Sequence, residues 1–530
     1  MKWQIINVDP RKYETEFHVL SLTGKLLAAA QLNNEQIQEL LSSDTRLTSS
    51  QSICVMQACA RIKQARERNE KVFIAGDYDG DGVCSTAIMK ATLDAMGIVN
   101  GFYIPDRIKE GYGLRPSTVR AAAEKGYSLI ITVDNGVKAH EALQLARTLK
   151  IDTIVTDHHI IEEEVPADIL VHPTLMEDAY QYLSGAGVAL EISRNLIGNR
   201  DDLNAFAGTA SITDVMPMWK ETRKLVNCAL DQLKMGMPRS LAALLQPNST
   251  IDDTAIGFYI GPKLNSVGRM SDTANVNTLP QFLLSRNERL INDYASQLQQ
   301  VNELRKQRAL HETETAERMV RDQVFLLIFD PQFHEGICGQ IAGNLADKYK
   351  RPALVMARSG DLVKGSGRSV PGFDLYDFFH DINGMSAFGG HAQAVGISVP
   401  WQQFASFQQQ IETKMANSSF VYREQAEKAI AVSCDEINFD TLSDLQRLAP
   451  YPHDLMKPFF TVEDPEIIEI RDTAKMVKYR IASAAGGFDA VLYKRKNIPV
   501  LQRPSKLIGT LGINRWQGKV TCQMVIEDMQ

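Results

Sequence analysis

Residues 71–82 read KVFIAGDYDGDG, and the fold turns on this stretch. KVFIA is a short apolar run that stops at a glycine and is followed by Asp77, Asp79 and Asp81 at alternate positions. Outward from it the same grammar repeats in GFYIPD (101–106), SLIITVD (128–134), DTIVTD (152–157) and ADILVHP (167–173). Helical stretches at 85–96, 116–125 and 139–149 lie between these runs. Apolar runs of four to six residues alternating with amphipathic helices predict βαβ units and a parallel sheet. In such sheets, sites form at the carboxyl ends of the strands. DYDGDG, TVDNG (Asp134) and TDHH (Asp157, His158, His159) all fall there, bringing five Asp and two His to one edge. Carboxylates this close repel one another unless a cation neutralises them. Oxygen ligands with a minority of imidazole suit Mn²⁺ or Mg²⁺. An EF-hand reading of DYDGDG fails, because its twelfth position is Ile88 where a bidentate Glu is needed.

The rest of the 530 residues is consistent with a multidomain protein, at roughly 100–200 residues per domain. With 44% hydrophobic and 23% charged residues it reads as globular rather than disordered. The net charge of −7 excludes a uniformly basic nucleic-acid coat, though not a local basic surface. Seven cysteines without a CxxC argue for a reducing compartment. The opening MKWQIINVDPRKYETEF lacks the apolar core of a signal peptide, and no run is long enough to span a membrane. A cytoplasmic protein is expected.

The expected organisation is an N-terminal lobe (1–55), a catalytic α/β domain (56–284), a connecting helix (285–321), a second α/β domain (322–415) and a small β-barrel (425–530). The helix is read from a stripe at Leu290, Ile291, Tyr294, Leu298, Val301 and Arg308. VFLLIFD (324–330) and PALVMA (352–357) open the second domain. Its GSGRSVPG (365–372) and FGGHAQAVG (388–396) read as glycine-rich turns. Ser366 and Arg368 in the first, and Gly389, Gly390 and His391 in the second, have the chemistry of a phosphate site. Residues 471–530 hold eleven Lys/Arg against four Asp/Glu, with Tyr479, Phe488, Tyr493 and Trp516 interleaved. A basic barrel with aromatics matches an OB-fold that tracks a single strand through phosphate contacts and stacking. Lys478, Tyr493, Lys494, Arg495 and Lys496 are its candidate contacts.

DYDGDG, VDNG and TDHH, in this order and each after a strand, resemble motifs I to III of the DHH phosphoesterase superfamily. SITDVMPM (211–218) resembles motif IV, and GSGRS with FGGHAQAVG resembles the associated DHHA1 domain. PKLNSVGRM (262–270) and the terminal GTLGINRWQGKVTCQMVIED are similar to the RecJ branch, single-strand-specific 5′→3′ exonucleases. The resemblance implies a two-ion centre of Mn²⁺, with Mg²⁺ as the alternative. One ion would be bound by Asp79 and Asp134 with Asp77 nearby, the other by Asp81, Asp134, His158 and Asp214. It places His159 and Arg269 at the scissile phosphate, and Arg107 of IPDRIKEGYGL with Ser366 and Arg368 at a 5′-terminal phosphate. Two departures stand out: Ala75 occupies a position where much of the superfamily has a ligand His, and LAPYPHDLMKPFF (448–460) lacks the glycines usual in the RecJ branch. The chain stops at 530, so a further C-terminal domain is not expected.

A metal-dependent 5′→3′ exonuclease that degrades single-stranded DNA to mononucleotides in repair or recombination is therefore expected. It would be a monomer, with single-strand-binding protein or a helicase as partners. Two alternatives remain: a DHH phosphodiesterase for short oligonucleotides or cyclic dinucleotides, and a non-catalytic DNA-binding relative. RNA as substrate stays open, since no residue is committed to a 2′-hydroxyl.

Overall fold

The computed structural model describes residues 2–247, 249–452, 455, 458–494, 498–516 and 518–530. The chain divides into two compact units, one of residues 45–216 and 220–423, the other of residues 1–44, 217–219 and 424–530.

The first unit opens with a five-stranded parallel sheet in the order β3-β2-β4-β5-β6. These strands are β2 (Val72–Ala75), β3 (Asn100–Tyr103), β4 (Leu129–Val133), β5 (Asp152–Thr156) and β6 (Ile169–Val171). Every residue of β2 and β4 is buried, as continuous apolar runs covered on both faces require. The chain leaves β2 for β3 on one side and returns to β4 on the other, so the strand order reverses beside β2. Asp77–Asp81 and Asp134 sit at that switch point. Helices Gly80–Ala95, Gly185–Ile197 and Asp201–Thr213 pack on one another.

The connecting helix runs Glu288–Met319, 32 residues, or about 48 Å at 1.5 Å per residue. Its buried stripe is Ile291, Leu298, Asn302, Arg305, Ala309, Glu312, Thr313 and Ala316. The apolar stripe read from sequence is thus carried on by polar residues, and Leu290 is 48% exposed. The polar members find partners instead of solvent: Arg305 bonds Asn302 and Gln340, and Glu312 accepts from the His334 backbone N–H.

Beyond it lies a mixed sheet ordered β10-β11-β9-β8-β7. Its strands are β7 (Leu326–Phe329), β8 (Ala353–Ser359), β9 (Leu362–Arg368), β10 (Ala387–His391) and β11 (Ala394–Pro400). The expected glycine-rich turns are corrected here: GSGR lies within β9 and FGGH within β10. Glycine in β9 serves close packing rather than chain reversal. A Cβ on Gly365 would lie 2.5 Å from Val355 O, and one on Gly367 2.8 Å from a Val395 methyl.

The second unit is an eight-stranded sheet ordered β1-β12-β13-β17-β18-β16-β15-β14. The strands are β1 (Trp3–Ile6), β12 (Glu427–Ala431), β13 (Phe459–Glu463), β14 (Ile467–Asp472), β15 (Met476–Ile481), β16 (Phe488–Tyr493), β17 (Lys506–Trp516) and β18 (Lys519–Met529). The N-terminal lobe is therefore no separate body. β1 pairs in parallel with β12, Trp3 meets Phe459 edge to face at 5.2 Å, and the Trp3 indole N–H donates to Asp528. Pairing over more than 400 residues leaves no local sequence signal.

Candidate metal centre

Asp79 caps the helix Gly80–Ala95, its Oδ1 accepting from the Asp81 and Gly82 N–H groups at 3.0 Å each. Gly82 has to be glycine, since a Cβ there would lie 2.5 Å from Asp77 O. The tight turn brings three carboxylates off one strand end. Asp81 reaches the start of the helix Gly185–Ile197 and accepts from Ser184 Oγ, Gly185 N and Ala186 N at 2.9, 2.7 and 2.8 Å. A helix N-terminus favours an ionised carboxylate. Asp134, just past β4, has φ +62°. Its carbonyl accepts from the Tyr112 hydroxyl at 3.0 Å.

Three groups of ligand atoms each converge within 4.8 Å: Asp77, Asp79 and Asp134; Asp81, His158 and Asp214; Asp134, His158 and His159. His158 Nε2 lies 3.2 Å from Asp134 Oδ1, 3.4 Å from Asp214 Oδ2 and 3.7 Å from Asp81 Oδ2. Yet His158 Nε2, Asp134 Oδ1 and Asp77 Oδ1 are buried with no hydrogen bond. Buried polar atoms are normally paired. Carboxylate oxygens and an imidazole nitrogen buried without partners are donors that a divalent cation takes, so the donor set fits a divalent metal centre. Burial holds the His158 imidazole below its usual pKa, and so neutral with a free lone pair. Burial, followed by neighbouring carboxylates, pushes Asp77 and Asp134 well up and Asp214 up to about 8. A bound cation reverses that balance.

Asp157 does not join the ligands. Its Oδ1 accepts from His158 N, His159 N and His159 Nδ1, at 2.8, 3.2 and 2.8 Å, and its Oδ2 from Val137 N at 3.0 Å. The edge thus offers four aspartates from DYDGDG and VDNG and His158 from TDHH, with Asp214 added from the end of Asp201–Thr213. His159 is fixed through Nδ1. Burial pulls its pKa down, but the bond to Asp157 and that group's charge prevail and lift it to about 9.

His158 and His159 line a cleft of about 1050 Å³ together with Tyr78, Arg107, Ser366 and His391. Ser366 and Arg368, two apart on β9, share a strand face. Gly339 makes room for them: a Cβ there would lie 2.8 Å from Arg368 Nη2 and 3.3 Å from Ser366 Cβ. Arg107 stacks over the Tyr78 ring at 4.9 Å. Arg269 has no hydrogen-bond or ion-pair partner among the described residues. Burial and the positive charges of Arg107, Arg305 and Arg368 lower its pKa to about 10. Arg107, Arg269 and Arg368 make no ion pair among the described residues, and guanidiniums so placed have the chemistry of an anion site. Gly389, Gly390 and His391 border the cleft on β10, an edge strand. Gly390 needs its φ of +141°, whereas Gly389 has open space around it.

Sequence reasoning passed over Tyr112, Asn265, whose Oδ1 accepts from Gly80 N at 2.6 Å, and Gly339. The first two stand in quoted motifs, GYGL and PKLNSVGRM, but act across the tertiary fold.

In the second unit the basic candidates are less available than their charges imply. Lys478 and Arg480 both pair with the buried Asp489, at 2.7 and 3.2 Å. Lys494 pairs with Asp472 at 2.5 Å. Tyr479 and Phe488 are fully buried, and Tyr493 is half-buried. Arg495 and Lys496 lie outside the described residues. Lys475, Arg503, Arg515 and Lys519 have no carboxylate partner among the described residues.

Comparison with known proteins agrees along the chain. The family model described as DHH family, N-terminal domain, matches residues 71–213, the DHHA1 domain model 321–417, and the RecJ OB domain model 430–528. The single-stranded-DNA-specific exonuclease RecJ of Bacillus subtilis is 28% identical over 100% of this chain and 70% of its own. That of Dickeya dadantii is 29% identical over 94% of each. A crystal structure of RecJ in complex with Mn²⁺ from Thermus thermophilus superposes with a TM-score of 0.83 at 21% identity, covering 100% of this chain and 79% of that one.

Proposed function

The chain belongs to the RecJ branch of the DHH/DHHA1 phosphoesterases, and on that premise we propose that it is a metal-dependent exonuclease of single-stranded DNA, working from the 5′ end and releasing mononucleotides. One observation carries this reading. The orphaned atoms of Asp77, Asp134 and His158 lie in the same unit as Arg269, whose guanidinium has no ion-pair partner among the described residues, and one cleft joins that centre to Arg107 and Ser366. A metal centre cuts, and an anion pocket beside it binds an end.

Asp77, Asp79 and Asp134 would hold one ion, and Asp81, Asp134, His158 and Asp214 the second, with Asp134 shared. Mn²⁺ or Mg²⁺ there would supply an activated water and positive charge for an in-line displacement. The chain's own groups do the rest. His159, held by Asp157 through Nδ1, presents Nε2 to a phosphate oxygen. Arg269 balances the charge that builds on the scissile phosphate. Arg107, Ser366 and Arg368 hold a terminal 5′-phosphate by charge-assisted hydrogen bonds, with Gly389, Gly390 and His391 two strands away in the same sheet as Ser366. The OB domain binds the single strand through Lys475, Arg503, Arg515 and Lys519 and through Tyr493.

The seven cysteines are all free, which fits a reducing compartment, and we place the protein in the cytoplasm. No helix among the described residues is long and apolar enough to cross a membrane. We further assign it to DNA repair or recombination, as a monomer supplied with single strands by a helicase and by single-strand-binding protein.

Single-stranded DNA labelled at each end in turn, with and without Mn²⁺, tests the reading. Labelled mononucleotide should appear first from the 5′ end, only with metal, and chelation should abolish it. First release from the 3′ end, or faster turnover of a dinucleotide than of a long strand, would overturn it.

A further inference from the structure

We propose that Lys364 is a positioning residue. It ties the loop carrying Arg107 to β9 and so sets the spacing between the metal centre and the terminal-phosphate pocket at one nucleotide. The inference rests on the exonuclease reading above and adds what determines the length of the product.

Strand periodicity puts Lys364, Ser366 and Arg368 on one face of β9. Ser366 and Arg368 face the phosphate pocket, whereas Lys364 reaches past it. Its Nζ donates to the backbone carbonyl of Ile108 at 2.9 Å and lies 3.2 Å from Glu335 Oε1. Ile108 directly follows Arg107. A lysine in this cleft would ordinarily be assigned to the substrate, but this ammonium already has two acceptors.

The loop it grips is a stiff body. Asp106 Oδ1 accepts from Ile108 N, Lys109 N and Ser271 Oγ at 2.9, 3.0 and 2.7 Å. Glu110 Oε2 accepts from Asp106 N and the Tyr103 hydroxyl at 2.7 and 2.6 Å. Ser271 lies two residues past Arg269. On the phosphoesterase side, then, the loop is anchored beside the scissile-phosphate arginine. Toward the sheet of β7–β11, among the described residues, its one hydrogen bond is from Lys364. A side chain that closes this link fixes how far Arg107 stands from Ser366 and Arg368, and how far the pocket stands from the metal ligands. Without it the loop loses its one bond to that sheet, its own hydrogen bonds open more often, and the pocket opens toward a second nucleotide.

The test uses the full chain with Mn²⁺, 5′-³²P-labelled single-stranded DNA, and amide hydrogen exchange on the free protein. Lys364→Met keeps the aliphatic stem and removes the donor. Its first labelled product should shift from mononucleotide toward dinucleotide by at least tenfold in ratio, and its preference for 5′-phosphorylated over 5′-hydroxyl strands should fall. Amides 106–111 should exchange at least tenfold faster. Lys364→Arg, which keeps a donor, should restore all three. Glu335→Gln, which leaves the bond to Ile108, should match the wild type. Lys364→Leu replaces the methionine variant if that does not fold. Unchanged exchange at 106–111 overturns the tie whatever the activity shows. Faster exchange with single-nucleotide products overturns the spacing role. If the wild type releases nothing from the 5′ end, the exonuclease reading falls, and the exchange result still decides the tie.

Discussion

Asp134 is the residue assigned above to both ions. At φ +62° it has left the geometry of β4, and the Tyr112 hydroxyl bonds its carbonyl while its carboxylate belongs to two of the three ligand groups. Asp134→Ala should abolish hydrolysis and reduce Mn²⁺ binding by calorimetry from two ions to at most one. The metal-free variant should melt no lower than the wild type, because a repelling carboxylate has gone. Arg368, beside Ser366 on β9, is assigned above to the terminal phosphate. Charge-assisted hydrogen bonds contribute about 1.5–3 kcal/mol, so Arg368→Ala should reduce the preference for 5′-phosphorylated over 5′-hydroxyl strands roughly 10- to 100-fold. Rates on the two strands, measured side by side, check it.

At the level of an element, the helix Gly185–Ile197 joins the metal centre to the scaffold. Its first turn grips Asp81, and Gly185 lies against Asp134 so closely that a Cβ would be 2.5 Å from Asp134 Cβ. Gly185→Ala should displace Asp134 and weaken Mn²⁺ binding at least tenfold with the fold retained, as titration and circular dichroism would record. Further along the same helix, buried Glu191 and Arg194 form a network with Glu221. It holds the segment at 48–50 through Ser50 N to Glu191, Thr48 N to Glu221, and Arg194 to Thr48 O. Burial, only partly offset by Arg194, lifts Glu191 to about 7 from 4.5. A folded-state pKa above the unfolded value means the native protein binds the extra proton. The contribution is full below about 4.5 and is lost as pH rises through 7, amounting to about 3 kcal/mol at most. Glu191→Gln should therefore flatten the fall in thermal midpoint between pH 4.5 and 7. An unchanged slope would remove Glu191 from the account.

For the molecule as a whole, the division into units changes how it should be cut. Ending the chain near residue 420 would leave residues 1–44 without β12, the strand on which β1 pairs. The fragment 45–423, with Trp219→Gln because residues 217–219 cluster with the other unit, is the cleaner test. It should keep Mn²⁺-dependent hydrolysis of very short oligonucleotides. On long strands it should lose affinity and processivity, and its salt dependence should flatten by about 0.7 for each phosphate that the OB domain no longer neutralises. In the full chain, Arg503→Gln, Arg515→Gln and Lys519→Gln together should reproduce part of that loss. A fragment that binds long strands as tightly as the full chain would remove the OB domain's assigned role.

The parallel sheet and the acids at its strand ends were legible in the sequence, because both are local. An apolar run between turns declares a strand, and DYDGDG, VDNG and TDHH each lie within a few residues of one. Asp214 and Arg269 could be reached only by resemblance, since a lone Asp or Arg on a helix has no signal of its own. What the tertiary structure decided is how each charge is used. Asp157 looks like a ligand beside two histidines but is consumed by His159 and the turn's own N–H groups. Lys478 and Lys494 look like strand contacts but face Asp489 and Asp472. The glycines of GSGR look like a turn but lie in a strand crossed closely by its neighbours. Sequence shows which groups a protein has and how they are spaced along a chain. Coulombic and hydrogen-bond energies depend on distance in space, and β1 meeting β12, or Lys364 meeting Ile108, exists only once the chain has folded.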